Sequence, residues 1–149
     1  MNMAVCFITC AFLICCSISD IRTKSVSVWL ILCGTTIVFL LRLYEACIID
    51  IHITINFLIQ SISILAVFKM LSVFMKHKIG AADFDVLFVI YLSIGILGTM
   101  IDFICACLLV FVKSLPKIVK DCKNLRNCSI PFIPYLSAGY LIILLISKG

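Results

Sequence analysis

The sequence predicts an all-α integral membrane protein of six transmembrane helices, forming a single domain over residues 1–149 with both termini outside. Three observations predict it. Hydrophobic residues make up 64% of the 149-residue chain and the mean hydropathy is +1.31, against about 45–50% apolar residues in an average soluble domain. A domain of this size still exposes roughly 30% of its unfolded surface, and the polar side chains needed to cover that surface are missing. The apolar residues also fall into six separate segments, and ten of the twelve Lys and Arg residues fall on one side of them.

The segments run over about 3–19, 26–41, 53–75, 84–96, 99–112 and 130–146. Several are shorter than the roughly 20 residues of a typical spanning helix, a mismatch that bilayer thinning and snorkelling side chains accommodate. The first begins "MNMAVC", with no basic start and no small-x-small site before Asp20, so it reads as a helix of the mature chain rather than a cleaved signal. The stretch from Phe84 to Val112 is too long for one helix and carries Gly95 and Gly98 near its middle, which predicts a tight turn there. In the third segment Asn56, Gln60 and Ser61 are expected to hydrogen-bond to neighbouring helices.

Charge sets the orientation. Arg22, Lys24, Lys76, Lys78, Lys113, Lys117, Lys120, Lys123 and Arg126 follow the first, third and fifth segments, and Lys69 lies within two turns of the same side. Only Arg42 and Lys148 lie opposite. The positive-inside rule places the basic side in the cytoplasm, so the net charge of +5 is a topology signal, with anionic-lipid attraction secondary. No nucleic-acid partner is expected. The ten cysteines include no C-x-x-C pair, and Cys122 and Cys128 have no histidine near them, so they read as small buried hydrophobes with neither a metal site nor a disulfide framework.

Of the seven acids, Glu45, Asp50 and Asp121 read as loop residues. Asp102 is a lone acid inside the fifth segment. Asp20 ends the first helix and Asp83 begins the fourth, and the alternating topology brings both to one membrane depth on the cytoplasmic side. Carboxylates at the edge of a low-dielectric region are costly unless paired or used. Two at close range can share one proton, so that one activates water while the other protonates a scissile carbonyl. The structural alternative is that Asp20 pairs with Arg22 or Lys24 and Asp83 caps a helix. Gly80, Ala81 and Ala82 allow a helix or an extended chain to approach closely beside Asp83.

Three blocks resemble, in order, the prepilin peptidases (type IV leader peptidases), membrane aspartyl proteases with a Gly-x-Gly-Asp motif. "SDIRTKSVSVWL" is similar to the family's Asp with following basic residues and turn into the second helix. "IGAADFDVLFVIYLSIG" is similar to the Gly-x-Gly-Asp block, and "SIPFIPYLSAGYLIILL" to the Pro-Phe-x-Pro block that opens the last helix. The resemblance implies a six-helix intramembrane aspartyl protease fold and catalytic aspartates at Asp20 and Asp83, with Gly80, Ala81 and Ala82 supporting the motif. It further implies cleavage of the leader from a prepilin or pseudopilin polypeptide at the cytoplasmic face of a bacterial or archaeal membrane.

The chain departs from the family at three places. Ala82 replaces the second motif glycine, Asp85 stands where the family has a Lys, and Ser27-Val28 replaces a Pro-Asn turn. The larger family members also methylate the new pilin terminus through a domain with a cysteine zinc site. This chain lacks the length and the cysteine pairs for that, so a peptidase without metal or cofactor is expected. The departures also motivate a non-catalytic homologue acting as a membrane assembly or binding protein. Asp102 and the polar residues of the third segment motivate a small transport protein, the least favoured of the three.

Overall fold

In the computed structural model, the described residues are 3–23, 25–74, 80–120 and 131–146, with backbone alone at 116–120. They contain five helices and no strand: α1 (Met3–Thr23), α2 (Val28–Ile49), α3 (Ile51–Phe74), α4 (Ala81–Lys120) and α5 (Ile133–Ile146). The first four are long and apolar enough to cross a membrane, while α5 has 14 residues. The protein is thus an all-α, multi-pass membrane protein.

Five helices stand where six are expected. Segments 84–96 and 99–112 fall within the single element α4, because the break between them is confined to one residue. Gly95 has φ 76° and ψ 179°, a left-handed φ that glycine adopts without a Cβ clash. The residues on either side pack as two limbs. Ser93 hydrogen-bonds to Tyr140 of α5, yet Asp102 lies against the adjacent Gly139, although nine residues of unbroken helix would separate the two by about 13 Å. Farther on, the Lys113 Nζ is 5.3 Å from the centroid of the Tyr135 ring. The limb after Gly95 therefore runs back along α5 towards its start, opposite in sense to the limb before it.

Several helices outlast their apolar segments. α1 continues to Thr23, α2 to Ile49 and α4 to Lys120, because the backbone ladder is indifferent to side-chain polarity once the chain reaches the membrane surface. Arg42 and Glu45 thereby belong to α2 rather than to a loop. The junction of α2 and α3 is Asp50 alone. Its Oδ1 accepts the His52 N–H at 3.2 Å and its N–H donates to the Ala46 carbonyl, so one residue closes one helix and caps the next.

The core is the first limb of α4. Phe84 and every residue from Val86 to Ser93 are buried, the all-round apolar pattern of a helix enclosed by others. α4 touches each of the other four helices, α1 packs on α5, and α2 pairs with α3. At the crossing of α1 and α2 the Phe12 ring occupies the space a Cβ on Gly34 would fill, 2.2 Å away. Outward faces remain apolar, including Trp29, Ile62, Val73 and Leu97, as lipid contact requires. No disulfide joins any of the eight described cysteines, and Cys15, Cys33, Cys47 and Cys107 face outward rather than into the core. In a lipid-soluble fold the outside is as apolar as the inside, so apolar character does not predict burial. Cys122 and Cys128 lie outside the described residues.

Candidate functional site

The end of the bundle where α1 ends and α4 and α5 begin holds both candidate aspartates. Asp20 sits in the last turn of α1, one turn before the helix ends, and is 8% exposed. Its carboxylate accepts a hydrogen bond from the backbone N–H of Ile133, the first residue of α5. The local sequence makes that donor available. A helix start leaves its first N–H groups without internal partners. Here Pro131 and Pro134 have no N–H to offer, and the Tyr135 and Leu136 N–H groups already donate to the Phe132 carbonyl. The other carboxylate oxygen, Oδ2, is buried with no hydrogen-bond partner among the described residues.

Asp83 occupies the third position of α4 and is half-buried. Its Oδ2 accepts the Gly80 N–H at 3.2 Å while its own N–H donates to the Gly80 carbonyl at 3.1 Å. This is the acidic half of a capping box, in which the third residue reaches back to the N-cap. A Cβ on Gly80 would lie 3.3 Å from that oxygen, so a side chain there would crowd the carboxylate. Ala81 and Ala82 form the first turn beside it, Ala81 exposed and Ala82 half-buried. Although 63 residues apart in sequence, Asp20 and Asp83 lie close enough for their charges to interact.

Asp85 faces differently. It forms an ion pair with the Lys69 ammonium on α3, so the third carboxylate of this end has its own counter-charge. Lys69 is a site residue that counting charges by side did not single out. Its signal is present, since it is the one basic residue inside the third apolar segment. Asp20 makes no ion pair with Arg22 among the described residues, and Lys24 lies outside them. Arg22, Lys69 and Lys113 share this end, whereas Arg42 lies at the other. Lys76, Lys78, Lys123, Arg126 and Lys148, together with Asp121, lie outside the described residues.

No family model, curated protein or solved structure matches this chain. The chemistry of the site therefore rests on its own geometry. Among the described residues no three His, Cys, Asp or Glu side chains gather as metal ligands.

Two further polar centres lie away from this end. Near the Gly95 break, Arg42 Nε donates to the Leu92 carbonyl at 2.7 Å, a second guanidinium nitrogen donates to the Ser93 carbonyl, and a third pairs with Glu45 at 2.9 Å. The break leaves those carbonyls without helical partners, and Arg42 caps them. Glu45, expected as a loop acid, is thus the half-buried partner of a helix cap. Asp102 is fully buried and both of its oxygens lack hydrogen-bond partners among the described residues. It fits only because Gly139 has no side chain, a Cβ there lying 2.3 Å from Oδ1.

Proposed function

We propose that this protein is a membrane aspartyl endopeptidase that removes the leader of prepilin-like precursors at the cytoplasmic face. The observation that carries the reading is the meeting of Asp20 and Asp83 at one end of the bundle, with one Asp20 oxygen left unbonded. In this reading one carboxylate holds and deprotonates a water while its protonated partner donates to the scissile carbonyl, and the roles reverse as the amine leaves. The substrate is an extended leader that joins an apolar stem helix, presented where the bundle meets the cytoplasm. Gly80 keeps the approach to Asp83 open. The limbs of α4 each count as a crossing, which makes six with α5 and sets both termini outside. The limb of residues 81–94 and α5 are short, about 21 Å each at 1.5 Å per residue, and require a thinned bilayer around them.

The test is leader removal from a co-expressed prepilin. Asp20→Asn and Asp83→Asn are each expected to lower the rate at least a hundredfold, the scale of a lost general acid or base. Undiminished processing by either variant would sink the assignment. A second reading, a non-catalytic membrane assembly protein, is favoured by one observation: both aspartates accept backbone N–H groups at helix starts, a stabilising role that needs no reaction. In that case both Asn variants lose stability, and the wild-type chain in lipid cleaves none of its host's prepilins.

A further inference from the structure

Asn56 and Gln60 are expected to bond to a neighbouring helix, and among the described residues they do not. Both are exposed on the outside of the bundle, one turn apart on α3, and neither makes a hydrogen bond among the described residues. Gln60 also borders a cavity of about 540 Å³ between α2, α3 and α4. The charged groups there are Arg42 and Glu45, which are paired with each other.

Depth makes this unusual. The 24 residues of α3 span about 36 Å, longer than a hydrocarbon core of about 30 Å. Asn56 lies about 7 Å from the start of the helix and Gln60 about 13 Å, so both amides fall at hydrocarbon depth. An amide left unpaired in hydrocarbon is strongly unfavourable.

The two amides belong to a longer stripe. Asn56, Gln60, Ser63, Val67, Met70 and Phe74 recur at alternating spacings of four and three, the seam spacing of a coiled coil, and all six are exposed. α3 is also the least buried of the four long helices. Ser63 satisfies itself on the Ile59 carbonyl at 2.8 Å, which leaves the two amides as the groups that need an outside partner.

A carboxamide carries both donors and an acceptor, so it is complementary to itself. Copies of one chain share a single orientation in a membrane. A two-fold axis along the membrane normal then sets α3 parallel to α3, with Asn56 facing Asn56 and Gln60 facing Gln60. Polar residues at seam positions fix register and oligomer state in such pairs. We infer that α3 is a homodimer interface, with a second copy of this chain covering the stripe and the paired amides setting its register.

The experiment uses full-length chains labelled separately with donor and acceptor dyes and reconstituted together in phosphatidylcholine vesicles. Energy transfer between wild-type copies is expected to rise and saturate with protein-to-lipid ratio. N56L/Q60L replaces both amides with groups that lipid accommodates. It is expected to keep its helix content by circular dichroism and to lose at least tenfold in association constant. T36L, on the outward face of α2, is expected to associate as wild type does. Absence of transfer between wild-type copies would leave the stripe to a different membrane protein and overturn the inference. Transfer undiminished in N56L/Q60L would put the interface elsewhere and overturn it equally.

Discussion

Asp85 shows how one side chain changes meaning once its neighbours are known. Along the sequence it is a third carboxylate two residues from Asp83, and repulsion is its natural reading. In the fold Lys69 holds it by an ion pair across to α3. An exposed pair of this kind contributes only about 0–1 kcal/mol to stability, so its weight lies in where charge sits. Under the proposed reaction, Lys69→Met exposes Asp83 to an uncompensated neighbour and is expected to slow leader removal about fivefold or more. Lys69→Met combined with Asp85→Asn removes both charges and is expected to restore the rate to within about twofold, since the repulsion goes with them. A double variant as slow as Lys69→Met would mean that the pair acts as a mechanical tether. The meeting of Asp20 and Asp83 was legible from alternating topology and charge. The Lys69 partnership was not, because side counting gives a depth and no azimuth around the helix.

At the scale of elements, the break in α4 rests on two residues from different helices. Gly95 supplies the backbone conformation and Arg42 satisfies the carbonyls that the break exposes. Arg42→Ala leaves those carbonyls and the Glu45 carboxylate unpaired, at about 1–3 kcal/mol for each buried group. Gly95→Ala forces a left-handed φ on a residue with a Cβ, at about 1–2 kcal/mol. Gly95→Ala is expected to lower the thermal midpoint in detergent by roughly 2–8 °C, and Arg42→Ala, with three groups unpaired, by about 6 °C or more, given about 2–4 °C per kcal/mol in larger domains. Unchanged midpoints would show that the limbs are held by packing alone. The sequence located this break through Gly95 and Gly98 but assigned a separate helix to each side. A one-residue interruption has no loop composition to announce it, and Arg42 in an apolar run looks like a boundary charge until its acceptors are seen.

For the whole molecule, orientation follows from charge. Arg22, Lys69 and Lys113 mark the end that carries the aspartates, and Arg42 is held inside the opposite end by its carbonyl and Glu45 partners. Reporter fusions are expected to place a tag before Met3 and a tag after Ile146 outside, and an insertion between Phe74 and Gly80 in the cytoplasm. A cytoplasmic tag at one terminus alone would require an odd number of crossings, and a cytoplasmic tag before Met3 would put Asp20 on the side away from the proposed leader. The sequence by itself determined that the chain lives in a bilayer, that it is helical, and where most helices begin. Composition and period record the solvent, and in lipid the backbone has few ways to satisfy its hydrogen bonds. Only the tertiary structure decided which polar groups found partners. Asp20 meets Ile133, Asp85 meets Lys69 and Arg42 meets the carbonyls at the break, while Asn56, Gln60 and Asp102 meet none among the described residues. The physical reason is that lipid and core are equally apolar. The pattern that reports burial in a soluble helix therefore carries no information about which face of a membrane helix turns inward.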